Sequence, residues 1–300
     1  MTNVFCVYHD RCPDGSAAAW VVSKAITDRE IEWYPDNYGR KPPLDKMTGK
    51  DVVIVDFSYL KEDMKSIAKV ANSVLVLDHH KKAKDELTEL LESGAIDGQF
   101  DSKRAGCLMA WDHYFPNELP PQLLLHVNDH DLWQFKLPET KAIVAAAVAK
   151  GFAINTWDEM LSSDVESLHS EGKVILQAKQ QTMRAHIDAY MFKMKIKGHI
   201  VPVINAPFDW RSDIAEMMYL DNDVPFALVF SSKGGKFGLS FRSKEGEGVD
   251  VNEIAKNFNG GGHKHAAGGR IDSFSKLGLV IPKTPRTLKE KLYSALGMYK

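Results

Sequence analysis

The stretches DVVIVDFS (51–58) and SVLVLDHHK (73–81) decide the fold. Each is a short run of branched aliphatic residues, apolar on both faces, that stops abruptly at an acidic residue or histidine. Runs of this kind are strands of a parallel sheet covered by helices on both sides, because a half-exposed strand would alternate apolar with polar. Upstream, VFCVYH (4–9) and EIEWY (30–34) read as further strands, separated by the small-residue helix SAAAWVVSKAIT (16–27), and a polar helix fills 59–71. The rhythm is βαβ. In open parallel sheets ligands bind outside the carboxyl ends of the strands, where loops and helix N-termini converge. His9, Asp56 and the triplet Asp78-His79-His80 stand at three such ends and are expected on one rim.

Working outward, residues 102–150 read as helices that cover the sheet: RAGCLMAWDHYF, then PQLLLHVNDHDLW after a Pro-Pro start, then ETKAIVAAAVAK ended by Gly151. A long helical stretch over 163–194 connects to a second set of strands, HIVPVIN (199–205), PFALVFS (225–231) and KFGLSFRS (236–243), with SSKGGK as a hairpin turn. A helix near 249–258 leads into NGGGHKHAAGG (259–269), read as a glycine-rich loop, and a last helix is expected after Pro285. The organisation predicted is α/β: a catalytic domain over 1–162 with a mostly parallel sheet and helices on both faces, a helical linker over 163–194, and a smaller α/β domain over 195–300.

Composition bounds the chemistry. The 300 residues carry 44% hydrophobic and 26% charged side chains, close to globular averages and sufficient for two cores. No apolar run approaches the ~20 residues needed to cross a bilayer. The N-terminal MTNVFCVYHD has no basic segment followed by an apolar stretch, so a cytoplasmic protein is expected, with no membrane partner. Three cysteines, an odd number without CxxC spacing, argue against a disulfide framework and a thiolate zinc site. A net charge of −2 and a pI near 6.6 argue against a grip on long duplex nucleic acid and leave room for a small anionic substrate.

Taken singly, the polar residues at the strand ends are ordinary: Asp56 could cap a helix starting near Ser58, and Asp14 a tight Pro-Asp-Gly turn. As a set they are not, since independent caps need no histidines. Imidazole and carboxylate together suit divalent ions with a taste for nitrogen and oxygen, such as manganese. Asp129 and Asp131 in HVNDHDLW lie at a helix end, where a carboxylate opposes the helix dipole and a metal ion would offset the repulsion. Two ions sharing a carboxylate could activate water and neutralise charge on a phosphoryl group. The second cluster, Gly260, Gly261, Gly262, His263, His265 and Arg270, offers backbone amides and charge to an anion, and Arg242 on a strand of the same domain is a natural phosphate fork. His113, His126, His169, His186 and His199 carry no such context.

Together these residues resemble the DHH phosphoesterase superfamily, and more closely its members with a C-terminal DHHA1 domain, the group that includes RecJ-type exonucleases and nanoRNases. The resemblance runs through VYHDRCPDGSAAAW, VIVDFS, VLVLDHH, NDHDLW and GGGHKHAAGG in order and spacing. It implies two manganese ions, with cobalt or magnesium as substitutes. His9 and Asp14 would bind one, Asp56 would bridge, and His79 and Asp129 would bind the other. Asp78 would orient His79, His80 would contact the substrate phosphate, and Gly261, Gly262, His263 and Arg242 would hold a terminal phosphate or its nucleotide. The sequence departs from the family at the first motif, where one expected carboxylate is missing: either Asp14 is the first and Ser16 replaces the second, or Asp10 is the first and Cys12 replaces the second. Asp10 is then a further candidate ligand, as Asp131 is beside Asp129. The activity implied is hydrolysis of short oligonucleotides or linear dinucleotides to nucleoside monophosphates, with a substrate bridging the domains; a homodimer is allowed. The rivals are a cyclic-nucleotide phosphodiesterase or nucleotide phosphatase with the same parts, a pyrophosphatase, which leaves a nucleotide-holding domain unused, and a non-catalytic nucleotide-binding module.

Overall fold

The computed structural model describes residues 3–246 and 248–281, apart from the side chain of Lys82, and the chain divides into two compact units, Met1–Gln177 and Ala178–Lys300. The helix expected after Pro285 lies outside the described residues. In the first unit the order is β1 (Val4–His9), α1 (Pro13–Ala25), β2 (Ile31–Asp36), α2 (Leu44–Met47), β3 (Asp51–Val55), α3 (Lys61–Val70), β4 (Ser73–Asp78), α4 (Lys81–Glu92) and β5 (Asp97–Phe100). Four helices follow: α5 (Gly106–Tyr114), α6 (Gln122–Asp131), α7 (Thr140–Lys150) and α8 (Thr156–Ser162).

The apolar runs form a five-stranded sheet in the order β2-β1-β3-β4-β5, parallel throughout. Alternate residues of each strand point to opposite sides. Val4, Cys6, Val53, Val55 and Leu77 pack under α1, α5, α6 and α7, whereas Phe5, Val7, Val52, Ile54 and Val76 pack with Met47, Met64, Ile67 and Leu87 on the other face. Burial on both faces is why these strands carry no polar alternation. From β1 the chain passes to β2 on one side and later to β3 on the other, so the strand order reverses between β1 and β3. A crevice opens at such a switch point, outside the carboxyl ends. His9 ends β1 and Asp56 directly follows β3.

Helix α9 (Val165–Tyr190) contributes Leu168 to the core of the first unit and Met183 and Ile187 to that of the second. The second unit runs β6 (Phe192–Ile196), β7 (His199–Asn205), α10 (Arg211–Asn222), β8 (Phe226–Lys233), β9 (Lys236–Ser243), α11 (Val251–Ala255), β10 (Gly261–His263), β11 (Ala266–Ile271) and β12 (Leu279–Ile281). Its seven strands are ordered β10-β11-β9-β8-β7-β6-β12, antiparallel except for the β7–β8 pair, which α10 bridges. The glycine-rich segment read as a loop is a hairpin: Gly261, Gly262 and His263 pair with Gly268, Ala267 and Ala266. Glycine permits this because a Cβ on Gly260 would lie 1.9 Å from the Gly268 carbonyl oxygen. Among the described residues no helix is long and apolar enough to cross a membrane.

Candidate metal centre

Five backbone segments deliver polar side chains to the crevice of the first unit. β1 ends on His9, the first turn of α1 carries Asp14, Asp56 follows β3, His79 and His80 join β4 to α4, and Asp131 ends α6. Asp56 has a φ of 50° while its amide still bonds to the Leu77 carbonyl at 2.9 Å. A left-handed non-glycine residue costs on the order of 1–3 kcal/mol and persists where its surroundings impose it. Here the turn swings the carboxylate across the switch point instead of continuing the strand.

The side chains converge on two imidazoles. His79 Nε2 lies 3.2 Å from Asp56 Oδ1, 3.3 Å from Asp131 Oδ2 and 3.9 Å from Asp14 Oδ2. His9 Nδ1 lies 3.5 Å from Asp56 Oδ2, and Cys12 joins these two in a group whose ligand atoms all lie within 4.8 Å. Asp56 thus offers one oxygen to each side. It is 1% exposed, and its Oδ2 has no hydrogen-bond donor.

Burial and mutual repulsion set the electrostatics. Desolvation, then the Asp56 and Asp131 charges, push Asp14 well above the carboxylate range. Burial and the Asp56 charge push Asp131 up to about 6, against the attraction of His79, His80 and His9. Burial opposes charge on His79 too, but the Asp56 hydrogen bond and the surrounding carboxylates outweigh it and raise the imidazole to about 9. Asp56 goes the other way: burial raises it, but the His79 hydrogen bond and the attraction of His9 and His79 win and hold it low. A site that must borrow protons to balance its carboxylates is one that a divalent cation fits. The donor set of carboxylate and imidazole, together with the orphaned Asp56 oxygen, suits such an ion.

The start of α5 supports this cluster. Asp14 accepts hydrogen bonds from the amides of Gly106, at 2.7 Å, and Cys107, at 2.8 Å, the first two residues of the helix. A helix N-terminus favours an anion there. A Cβ on Gly106 would lie 2.6 Å from Asp56 Cβ, so only glycine lets α5 approach.

Some residues singled out by the sequence lie elsewhere. Asp129 accepts hydrogen bonds from the amides of Lys136 (2.8 Å) and Leu137 (3.1 Å) and from Thr140 Oγ1 (2.7 Å), which holds it below the carboxylate range against the cost of burial. Two residues apart on a helix means about 200° apart, so Asp129 and Asp131 face different surroundings. Asp10 Oδ2 accepts from Asn37 Nδ2 at 3.1 Å, and Asp10 belongs to none of the ligand groupings. Asp78, expected behind His79, instead meets His80: its Oδ1 lies 2.6 Å from His80 Nδ1 and accepts from the His80 amide at 3.2 Å. The strand's alternation leaves the buried Asp78 within a turn-like reach of residue 80. Burial lowers His80, but the Asp78 contact prevails and raises it.

Beside His80 opens a cavity of about 520 Å³ lined by Tyr38, Phe57, Tyr59, Arg40 and Lys41. The Tyr38 ring is 5.6 Å from the His80 ring and 5.5 Å from that of His9. Sequence reasoning passed over Tyr38, which sits in the irregular segment after β2.

In the second unit, Arg242 Nη1 donates to Ser240 Oγ (3.0 Å) and the Phe241 carbonyl (2.9 Å), and Nη2 reaches Ser212 Oγ at 3.4 Å. Burial and the nearby Arg211 lower its pKa. The two arginines line a cavity of about 350 Å³ with Phe208, Gly268 and Gly269. Arg211 Cζ lies 3.3 Å from the centre of the exposed Phe208 ring. Sequence reasoning missed Arg211; the signal available was NAPFDWRSD, following a strand and opening a helix. His265 Nδ1 contacts Ser243 Oγ at 3.0 Å, the Gly262 amide donates to Asn252 Oδ1 at 2.9 Å, and His263 is exposed.

Residues 203–290 match the DHHA1 domain family. An uncharacterised protein, R106, of Acanthamoeba polyphaga mimivirus is 28% identical over 282 residues, which are 87% of this chain and 66% of the relative's length. Among solved structures, a pGpG-specific phosphodiesterase from Vibrio cholerae superposes with a TM-score of 0.50 at 11% identity, covering 98% of this chain and 97% of that one. An exopolyphosphatase-related protein from Bacteroides fragilis gives a TM-score of 0.50 at 14% identity, covering 98% and 93%. RecJ from Thermus thermophilus, in complex with Mn2+, gives 0.50 at 15% identity over 90% of this chain and 49% of RecJ. These likenesses establish a shared fold.

Proposed function

We propose that this chain, whose residues 203–290 match the DHHA1 domain family, is a metal-dependent phosphodiesterase of the DHH superfamily acting on short nucleotides, releasing nucleoside monophosphates from linear dinucleotides or very short oligonucleotides. The observation that carries the reading is Asp56, whose buried carboxylate turns one oxygen towards His79 and the other, without a hydrogen-bond donor, towards His9.

His9 and Asp56 would hold one ion, and Asp14, His79, Asp131 and Asp56 a second. Bound divalent ions, manganese first with cobalt or magnesium as substitutes, would supply an activated water and neutralise charge on the phosphoryl oxygens. The chain's own residues do the rest. Asp78 accepts the Nδ1 proton of His80 and fixes that ring, leaving Nε2 to meet a phosphate oxygen or the leaving group. Tyr38, Phe57 and Tyr59 give the neighbouring cavity an aromatic wall suited to a nucleobase, with Arg40 and Lys41 for its phosphate. Arg211, Arg242 and the Phe208 ring offer a second place for an anion next to an aromatic surface. A pGpG-specific phosphodiesterase with this fold supports the choice of a short linear substrate.

The test is a hydrolysis screen of metal-stripped protein with manganese restored, against linear dinucleotides, short oligonucleotides, cyclic dinucleotides, mononucleotides and pyrophosphate, with products identified. Mononucleotides from linear dinucleotides, lost in Asp56→Ala, are expected. Metal binding without turnover on any substrate would point instead to a binding module, and preference for a cyclic or monoester substrate would move the activity within the family.

A further inference from the structure

We propose that Cys12 is a metal ligand: its thiolate completes, with His9 Nδ1 and Asp56 Oδ2, one of the two metal positions, and gives that position a preference for zinc, cobalt or ferrous iron over manganese and magnesium. The inference rests on the metal centre proposed above and goes beyond it in naming a sulfur donor and a difference between the two positions.

Cys12 stands immediately before α1, at the residue where an N-cap side chain would sit, with extended φ and ψ of −116° and 130°. The preceding Arg11 takes a φ of 53°, which folds the chain back over the end of β1. The thiol therefore comes to the same side of the crevice as His9, and the ligand atoms of His9, Cys12 and Asp56 all lie within 4.8 Å of one another. The second observation is independent of the cysteine. Asp56 Oδ2 is buried, has no hydrogen-bond donor, and faces His9 Nδ1 at 3.5 Å. An orphaned carboxylate oxygen beside an imidazole and a thiol is one ion short of a satisfied site.

The other two cysteines behave differently. Cys6 and Cys107 are fully buried among the apolar side chains under α1 and α5, whereas Cys12 is only partly buried and lies outside that cluster. The ligand groupings take in both Cys12 and Asp14 and leave out Asp10 and Ser16. Ser16, the alternative replacement, spends its hydroxyl on the carbonyls of Cys12 (2.9 Å) and Pro13 (3.3 Å) inside the helix and is buried there. Cys12 is the residue left facing the ligands. Sulfur is softer than oxygen, so exchanging carboxylate for thiolate moves selectivity towards the later divalent metals. The position formed by Asp14, His79 and Asp131 carries no sulfur and keeps the oxygen-rich preference. The thiol must lose its proton to solvent as the ion binds, so uptake at this position releases a proton.

The experiment is a cobalt(II) titration of the metal-stripped full chain, read by absorbance and by elemental analysis. A sulfur-to-cobalt charge-transfer band in the near ultraviolet should appear in the wild type and vanish in Cys12→Ser and Cys12→Asp. Both replacements are good N-caps, so α1 should be kept, as circular dichroism would verify. The ratio of cobalt to manganese affinity at this position should fall by about tenfold or more in Cys12→Asp. A check that needs no variant is alkylation: cobalt should shield Cys12 from iodoacetamide, located by peptide mass spectrometry. Binding of cobalt with no charge-transfer band, and with Cys12 alkylated as fast as before, would overturn the sulfur ligand while leaving the metal centre standing. Failure of the protein to bind any divalent ion would remove both.

Discussion

Replacing Asp129 and Asp131 separately with asparagine should divide folding from metal binding, although the two lie two residues apart. Asp129 Oδ1 accepts from the Lys136 amide, and Oδ2 accepts from the Leu137 amide and Thr140 Oγ1, all in a buried setting. Asparagine keeps one acceptor oxygen but loses the charge and leaves donors unmatched, each charge-assisted bond being worth roughly 1.5–3 kcal/mol. With partial relaxation the loss should be about 3 kcal/mol, or about 10 °C in Tm for a unit of this size. Asp131 has no comparable partners; it stands 3.3 Å from His79 among carboxylates. Removing its charge relieves repulsion in the metal-free protein, so the Tm in chelator should hold or rise while manganese affinity falls by about tenfold or more. The sign of the pH dependence follows. Asp129 is held below its ordinary value of 3.8 in the fold, so its stabilising effect is full above that value and is lost as the pH falls through the folded-state pKa. The stability gap between wild type and Asp129→Asn should therefore shrink on acidification below about pH 4. The assays are thermal unfolding in chelator and calorimetric manganese titration. Loss of metal affinity in Asp129→Asn with an unchanged metal-free Tm, or unchanged affinity in Asp131→Asn, would refute the division.

Two further expectations follow from close approaches and charge. Gly106→Ala places a methyl group 2.6 Å from Asp56 Cβ, and should cost about 1–3 kcal/mol of metal-free stability and weaken manganese binding, measured by unfolding and calorimetry; an unchanged affinity would show that α5 does not fix Asp56. Arg242→Ala and Arg211→Ala should each lower kcat/KM on a dinucleotide by roughly 10- to 150-fold, the loss of one charge-assisted contact, while sparing hydrolysis of bis-p-nitrophenyl phosphate. Equal losses on both substrates would place these arginines in the chemistry itself.

Much of the first unit was legible in the chain because its signals are local. Strands buried on both faces show as unbroken apolar runs, and the residues that end them, His9, Asp56 and Asp78-His79-His80, are marked by the stop. The short β5 and β6 escaped notice: DGQF carries one strongly apolar residue, and FKMKI begins two residues after the last residue of α9 with no turn signal between. Helix α10 escaped for another reason. Its buried residues are few, Ile214, Ala215 and Met218, and its polar opening reads as loop.

Sequence by itself determined which segments reach the rim of the sheet and which residue types they bring, because period and punctuation are properties of neighbouring residues. Only the tertiary structure decided how each side chain is used. Asp14 is held by amides 92 and 93 positions away, Asp129 is claimed by the loop before α7, and Asp78 turns to His80 instead of His79. Arg211 meets Arg242 only because β7 and β8 are parallel and α10 must cross between them. Side-chain direction and long-range donors depend on packing between elements far apart in the chain, and a linear pattern carries no record of which helix end will arrive beside which carboxylate.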